Sequence, residues 1–284
     1  MENDVIQMLI NGRQTERLSA LDRGLQYGDG LFETLRVVAG RPLHWRRHMA
    51  RLRRGCEALA IAMPEPALLE AEARQLCEPL DHAVLKITVT RGQGGRGYAP
   101  PAGVAPTRIL ATYAAPVFPA SRRTEGVALR WCETRLAQNP RLAGIKHLNR
   151  LEQVLARAEW EPAPGAEGIA EGLMLDNNNN VIEGTMSNLF CVRDNTLLTP
   201  DLSQCGIAGV TRERVIEAAR AADIPLRETS LDVEQVLAAD ELFVCNSLIG
   251  IWPVRSLDRQ TFAVGPVTRR LSAALDAAEG GTHA

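Results

Sequence analysis

The chain has 284 residues and a formal net charge of −2, with 45% hydrophobic and 23% charged residues. That length allows one large or two ordinary domains, the near-neutral charge gives nucleic acid no basic field to bind, and the balance of apolar and charged residues excludes a disordered chain. Cys56, Cys77, Cys132, Cys191, Cys205 and Cys245 are scattered without a CxxC pair, which excludes the usual zinc and disulfide patterns and leaves them as small buried hydrophobes.

The opening MENDVIQ has acids where a secretory leader has cations, so no leader is expected. VIQMLINGRQ predicts a strand ending in an Asn11-Gly12 turn. LFETLRVVAGRPLHW alternates as a strand, turns at Ala39-Gly40-Arg41 and continues as a second strand. Met49, Leu52, Cys56, Leu59 and Ala60 recur at helical spacing, and PALLEAEARQLCEPL opens a second helix with Pro66. AVLKITVTRG and TRILATYAAP are β-rich. Residues 115–121, APVFPAS, have two prolines and no periodicity, and predict a linker between two domains, 1–118 and 119–284.

After the linker, VALRWCETRL predicts a strand, and HLNRLEQVLARAEW a helix whose apolar face is Leu148, Leu151, Val154 and Leu155. EGLMLDNNNNVIEG and SNLFCVRDNTLLTP predict hairpins turning at Asn177–Asn180 and at Asp194-Asn195. TRERVIEAARAADI predicts a helix after the Gly206–Gly209 loop, ELFVCNS a buried strand, and PVTRRLSAALDAAEG a closing helix. No run approaches the ~20 apolar residues of a membrane helix, so a cytoplasmic protein is expected. The fold class is α/β in two domains.

Lysine is scarce: beside thirty arginines there are only Lys86 and Lys146. Lys146 follows the apolar flank LAGI, which predicts a desolvated amine able to act as nucleophile or base. An ordinary solvated lysine is the plain alternative. An amine of this kind can join a carbonyl, and pyridoxal 5′-phosphate is the carbonyl cofactor that most often uses one. That cofactor needs an anion site, which the glycine loop running into a helix near Thr211 could supply. It also needs a partner for its ring nitrogen, which could be Glu183 in NVIEG. Taken singly, a capped helix and a solvent-facing glutamate are the favoured readings of the two features.

The blocks LDRGLQYGDGLFETLRV (21–37), RHMARL (47–52), GIKHLNRLEQ (144–153), VIEGTMSNLF (181–190), GVTRE (209–213) and NSLIGIWPVRSLD (246–258) together resemble the fold-type IV pyridoxal phosphate enzymes. That family includes branched-chain and D-amino acid aminotransferases and 4-amino-4-deoxychorismate lyases. RGQGGRGY (91–98) and NPRLAGIKHLNRLEQVL (139–155) look more like the lyases. Branched-chain enzymes usually place a small-residue run ending in tyrosine where His147, Leu148, Asn149 and Arg150 stand.

The resemblance implies a small N-terminal α/β domain, a larger C-terminal one, the cofactor in the cleft and a homodimer. It implies that Lys146 carries pyridoxal 5′-phosphate, that Glu183 faces the ring nitrogen, and that Arg51, Val210, Thr211, Ser247 and Leu248 hold the phosphate. Arg91, Arg96 and Tyr98 lie in the lyase-like loop and, with Arg150, become candidates for binding a dicarboxylate substrate, since guanidinium pairs carboxylate bidentately. The implied reaction releases pyruvate from 4-amino-4-deoxychorismate to leave 4-aminobenzoate, a folate precursor. Transamination of branched-chain or D-amino acids is the alternative.

Overall fold

The computed structural model describes residues 5–160 and 168–279. Glu2 and Asp4, on which the leader expectation rested, lie outside them. The chain divides into two compact units, Met1–Val117 with Ile145–Asn149, and Phe118–Gly144 with Arg150–Ala284. The first division falls inside the proline-rich stretch. The return of Ile145–Asn149 to the N-terminal unit was not anticipated.

In the first unit β1 (Val5–Ile10) turns at Asn11 and Gly12, φ 49° and 78°, into the two-residue β2 (Arg13–Gln14). A short α1 (Arg23–Tyr27) precedes β3 (Gly30–Val38), β4 (Arg41–Pro42), α2 (Trp45–Leu59), α3 (Pro66–Cys77), β5 (His82–Thr90) and β6 (Thr107–Ala114). The six strands form an antiparallel sheet in the order β2-β1-β6-β5-β3-β4. Alternation sends Leu31, Leu35 and Val37 of β3 and Leu85, Ile87 and Val89 of β5 to one buried face. The apolar sides of α2 (Met49, Leu52, Cys56) and α3 (Leu69, Ala73, Leu76, Cys77) complete that core.

The strand expected after the Gly40 turn is only two residues long, because His44 takes a left-handed φ of 55° and starts α2. β3 therefore pairs with β4 only at Val37 and Val38. The free edge at its other end is taken by the Lys146 segment. Phe32 N–H donates to the Lys146 carbonyl and Leu148 N–H to the Gly30 carbonyl, both at 2.9 Å, and Leu31 bridges His147 in antiparallel fashion.

The second unit contains α4 (Ser121–Thr124), β7 (Val127–Trp131), α5 (Leu151–Ala158), β8 (Ile169–Leu175), β9 (Val181–Gly184), β10 (Asn188–Arg193), β11 (Thr196–Pro200), α6 (Val210–Ala221), β12 (Leu226–Thr229), α7 (Val233–Leu237), β13 (Glu241–Asn246), β14 (Gly250–Leu257), β15 (Gln260–Thr261) and α8 (Pro266–Ala277). Its sheet runs β12-β11-β10-β13-β14-β7-β8-β9, and β9 also pairs with β10. The strands from β10 round to β9 thus close on themselves, with β11 and β12 extending from the ring.

Both faces of this sheet are covered. Leu189, Cys191, Val244 and Trp252 pack on one side, and Phe190, Val192, Phe243 and Cys245 pack on the other against Val215 and Ala219 of α6 and Leu271 of α8. That explains the unbroken apolar run LFCV, since a strand buried on both sides cannot alternate. All six cysteines are buried and unpaired, as anticipated, and burial raises the Cys132, Cys191, Cys205 and Cys245 thiols to about 12.

The expected face of α5 is corrected. Leu148 lies before the helix, bonded to Gly30, and Leu151, Val154 and Leu155 are 75%, 60% and 60% exposed while Gln153 and Ala156 are buried. The helix begins only at Leu151 because the preceding residues are drawn out as an edge strand, and this fixes which side of it turns inward.

Candidate active site

The chemistry-bearing residues of the N-terminal unit gather on β3. Lys146, extended beside it, places its Nζ 4.4 Å from the centre of the Phe32 ring, and Lys86 Nζ lies 5.5 Å from the same ring. Both lysines of the chain therefore share one aromatic side chain, a favourable contact for an ammonium. Phe32, Thr34, Lys86 and Thr88 project from the sheet face opposite the buried leucines, as their cross-strand pairing requires.

Glu33 points the other way, into the core, at 1% exposure. Arg51 grips it through two parallel bonds, Nε to Oε1 at 2.8 Å and Nη2 to Oε2 at 2.6 Å, and His48 Nδ1 lies 2.6 Å from Oε2. Burial opposes ionisation of Glu33, but the Arg51 charge and the bonds from Arg51 and His48 outweigh it and hold the carboxyl at about 2. Burial also lowers the His48 pKa, against the pull of Glu33. Glu33 and His48 thus fix the orientation of Arg51, a part that sequence reasoning did not give them.

In the C-terminal unit the register aligns a row across three strands: Glu183 of β9 opposite Asn188 of β10, and Asn188 opposite Cys245 of β13. Glu183 is 3% exposed, and its Oε2 accepts from Ile207 N–H at 2.8 Å. Asn188 Nδ2 donates to the Ile207 carbonyl at 2.8 Å, so the backbone of Ile207 is held on both sides of its Cα. Arg150, at the start of α5, is largely buried. That burial lowers its pKa, opposed by the charges of Glu183 and Glu152. The substrate-binding candidate Arg150 is therefore an electrostatic neighbour of the ring-nitrogen candidate.

Helix α6 starts at Val210 after Gly209, an N-cap residue with no side chain of its own to cap the first turn. A Cβ on Gly209 would stand 2.1 Å from Asn188 Oδ1, so only glycine permits this approach. Val210 and Thr211 are buried in the first turn, at 3% and 2% exposure, where helix N–H groups and the helix dipole favour an anion. Ser247 and Leu248 follow β13 in a turn. Leu248 N–H is directed at Asn246 Oδ1 at 2.8 Å, so Leu248 helps to shape the turn.

The lyase-like loop divides its candidates. Arg91 donates to Asp29 at 2.7 and 3.0 Å and to the carbonyls of Leu59 and Ala60. It is a fixed strut. Burial raises the Asp29 pKa, but the bonds from Arg91 and Arg23 prevail and hold it below its ordinary value. Arg23 also donates to the carbonyls of Gly97 and Tyr98, tying down the base of the loop. Arg96 is exposed, as is Tyr98 at 85%.

Residues 30–257 match the family model for amino-transferase class IV. The chain belongs to that family. Among class IV relatives, it is 36% identical to the aminodeoxychorismate lyase of Vibrio harveyi over 94% of this chain and 98% of that one. The crystal structure of 4-amino-4-deoxychorismate lyase from Pseudomonas aeruginosa superposes with a TM-score of 0.90 at 50% identity, covering 95% of this chain and 98% of that one. The branched-chain amino acid aminotransferase of Escherichia coli gives a TM-score of 0.80 at 28% identity, covering 95% and 92%.

The cofactor of this class IV enzyme is pyridoxal 5′-phosphate. Groups of the kinds it needs are present in each unit: an amine on Lys146 in the N-terminal one, and in the C-terminal one a buried carboxylate on Glu183 and a glycine-led helix start with a buried threonine at Thr211. Among the described residues, no group of histidine, cysteine and acidic side chains could hold a metal ion.

The Glu33 cluster gives a pH-dependent expectation. Its folded pKa, about 2, lies below the ordinary 4.5, so its contribution to stability is complete above pH 4.5 and is lost as pH falls toward 2. Glu33→Gln should lower stability at neutral pH and flatten the acid limb of the stability curve. Urea unfolding at a series of pH values checks this; a parental acid limb in the variant would remove Glu33 from that role.

Proposed function

We propose that this chain eliminates pyruvate from 4-amino-4-deoxychorismate to give 4-aminobenzoate. The observation that carries the reading is its near-full-length likeness to two lyases, at 36% and 50% identity, above the 28% shared with the E. coli aminotransferase. His147–Arg150 after the lysine, in place of a run ending in tyrosine, supports the same reading.

Bound pyridoxal 5′-phosphate would supply an electron sink for negative charge at the substrate's amine-bearing carbon. Lys146 would carry the cofactor and then move the proton from that carbon. Glu183 would hold a proton at the ring nitrogen, itself fixed by Ile207 N–H. The α6 start, Ser247 and Arg51, whose fork Glu33 orients, would hold the phosphate. Departure of the enol ether oxygen makes the ring aromatic, which drives the reaction forward. The protein's part is to position, deprotonate and exclude water.

Pyruvate release from 4-amino-4-deoxychorismate, compared with transamination of branched-chain 2-oxo acids, tests the activity. Lyase turnover well above transamination is expected. Lys146→Ala should abolish turnover and the visible absorbance of the bound cofactor, whereas Glu183→Gln should keep the cofactor and lose most turnover. Dominant transamination would overturn the reading.

For the substrate's carboxylates, Arg96, Tyr98 and Arg150 remain the candidates, while Arg91 is committed to Asp29. Arg96→Ala should raise KM about tenfold or more, as for loss of a charged hydrogen bond, with the cofactor spectrum unchanged. Arg91→Ala should instead lower the melting temperature. Steady-state kinetics and thermal unfolding of both variants separate the roles, and a parental KM in Arg96→Ala would remove Arg96 from the clamp.

A homodimer is part of the proposal. The exposed Leu151, Val154 and Leu155 of α5 form an apolar stripe suited to a second copy. Sedimentation of the parent should give a dimer and Leu155→Glu should shift it toward monomer; a monomeric parent would end this part of the proposal. Among the described residues, no helix is long and apolar enough to cross a membrane.

A further inference from the structure

Beneath the Ser247 turn lies a polar relay that the proposed chemistry does not itself use. Glu171 of β8 is 1% exposed, yet five donors converge on its carboxylate. Gly172 N–H, Thr185 N–H and the Thr185 hydroxyl approach Oε1 at 2.9, 3.1 and 2.6 Å. Met186 N–H and the Ser187 hydroxyl approach Oε2 at 3.1 and 2.8 Å. The turn from Glu183 to Asn188 is thus wrapped around one buried carboxylate. Gly184 is obligatory within it, because a Cβ there would lie 2.4 Å from Ser187 Oγ and 2.8 Å from Glu171 Oε2.

The Met186 carbonyl passes this order onward. It accepts from Asn246 Nδ2 at 3.0 Å, while Asn246 Oδ1 accepts from Leu248 N–H at 2.8 Å and Ile249 N–H at 3.0 Å. Asn246 therefore clamps both sides of Ser247 to the 185–187 turn. A buried carboxylate with all its partners satisfied is a rigid anchor, and losing one bond leaves a desolvated group unpaired.

We infer that Asn246 and Glu171 are positioning residues that hold the Ser247 turn in the shape that grips the cofactor's phosphate. This rests on the proposed assignment of Ser247 to the phosphate. Neither side chain touches the reacting atoms; each acts through the turns it holds. Glu171→Gln would set an amide against Met186 N–H or Ser187 and loosen the anchor. Asn246→Ala would release Leu248, Ile249 and Met186 together.

The test is equilibrium binding by the full chain, freed of cofactor, of pyridoxal 5′-phosphate and of unphosphorylated pyridoxal. The parent's preference for the phosphorylated form should fall about tenfold in each variant, the scale of one charged hydrogen bond, while pyridoxal affinity stays parental and reports an intact fold. The double variant should lose no more than the larger single loss, as for two links of one relay. An unchanged preference in both variants, an equal loss for both ligands, or multiplying losses in the double variant would each overturn the inference. Ser247→Ala separates the two levels: a parental preference there removes the phosphate assignment itself, while a reduced preference beside unaffected Glu171 and Asn246 variants removes only the relay.

Discussion

Two backbone hydrogen bonds carry much of this architecture: Phe32 N–H to the Lys146 carbonyl and Leu148 N–H to the Gly30 carbonyl. They satisfy the edge of β3 that β4 is too short to cover, and so turn a liability of open sheets into a mounting for the lysine. Extended backbone beside a paired strand has little freedom, so Lys146 inherits the rigidity of the sheet. Glycine is needed at position 30 for the same reason, since a Cβ there would stand 2.5 Å from the Val89 carbonyl and 2.8 Å from Leu148.

The second unit reaches comparable order by closing its sheet. Pairing between β9 and β10 sets Glu183 beside Asn188, and Asn188 holds the carbonyl of Ile207, the residue whose N–H donates to Glu183. In each unit a buried acid is surrounded by hydrogen-bond donors. Glu33 has Arg51 and His48, and Glu171 has five donors. Such clusters add little net stability once desolvation is counted, but they impose a single arrangement on the side chains they hold.

Local chemistry was legible in the sequence. The Asp194-Asn195 turn has both residues at positive φ, 48° and 58°, and α6 follows its glycine loop. Features depending on distant partners were not legible. Arg91 in a glycine-rich segment looked available, but its partner Asp29 stands 62 residues earlier. The α5 leucines had helical spacing, yet the inward side was decided by residues drawn off to β3. β14 was hidden by Pro253, which cannot donate to a ladder; the strand accommodates it beside a register irregularity between Val254 and Ser256. Glu33 interrupts an apolar face, and only the fold reveals Arg51 and His48 as its reason for being there.

The discontinuity of the N-terminal unit bears on how the chain is made. Residues 1–117 hold nearly all of that unit, but its last five residues come after an excursion of 27 residues, Phe118–Gly144, assigned to the other. During synthesis the edge of β3 stays open until residue 149 has left the ribosome. A fragment cut at the proline-rich stretch would keep a hydrophobic core, lack the lysine, and present an unpaired edge to other chains. The two units therefore cannot be exchanged as independent modules by a single crossover at the linker, and the Lys146 segment reaches its place on β3 only after part of the second unit has been made.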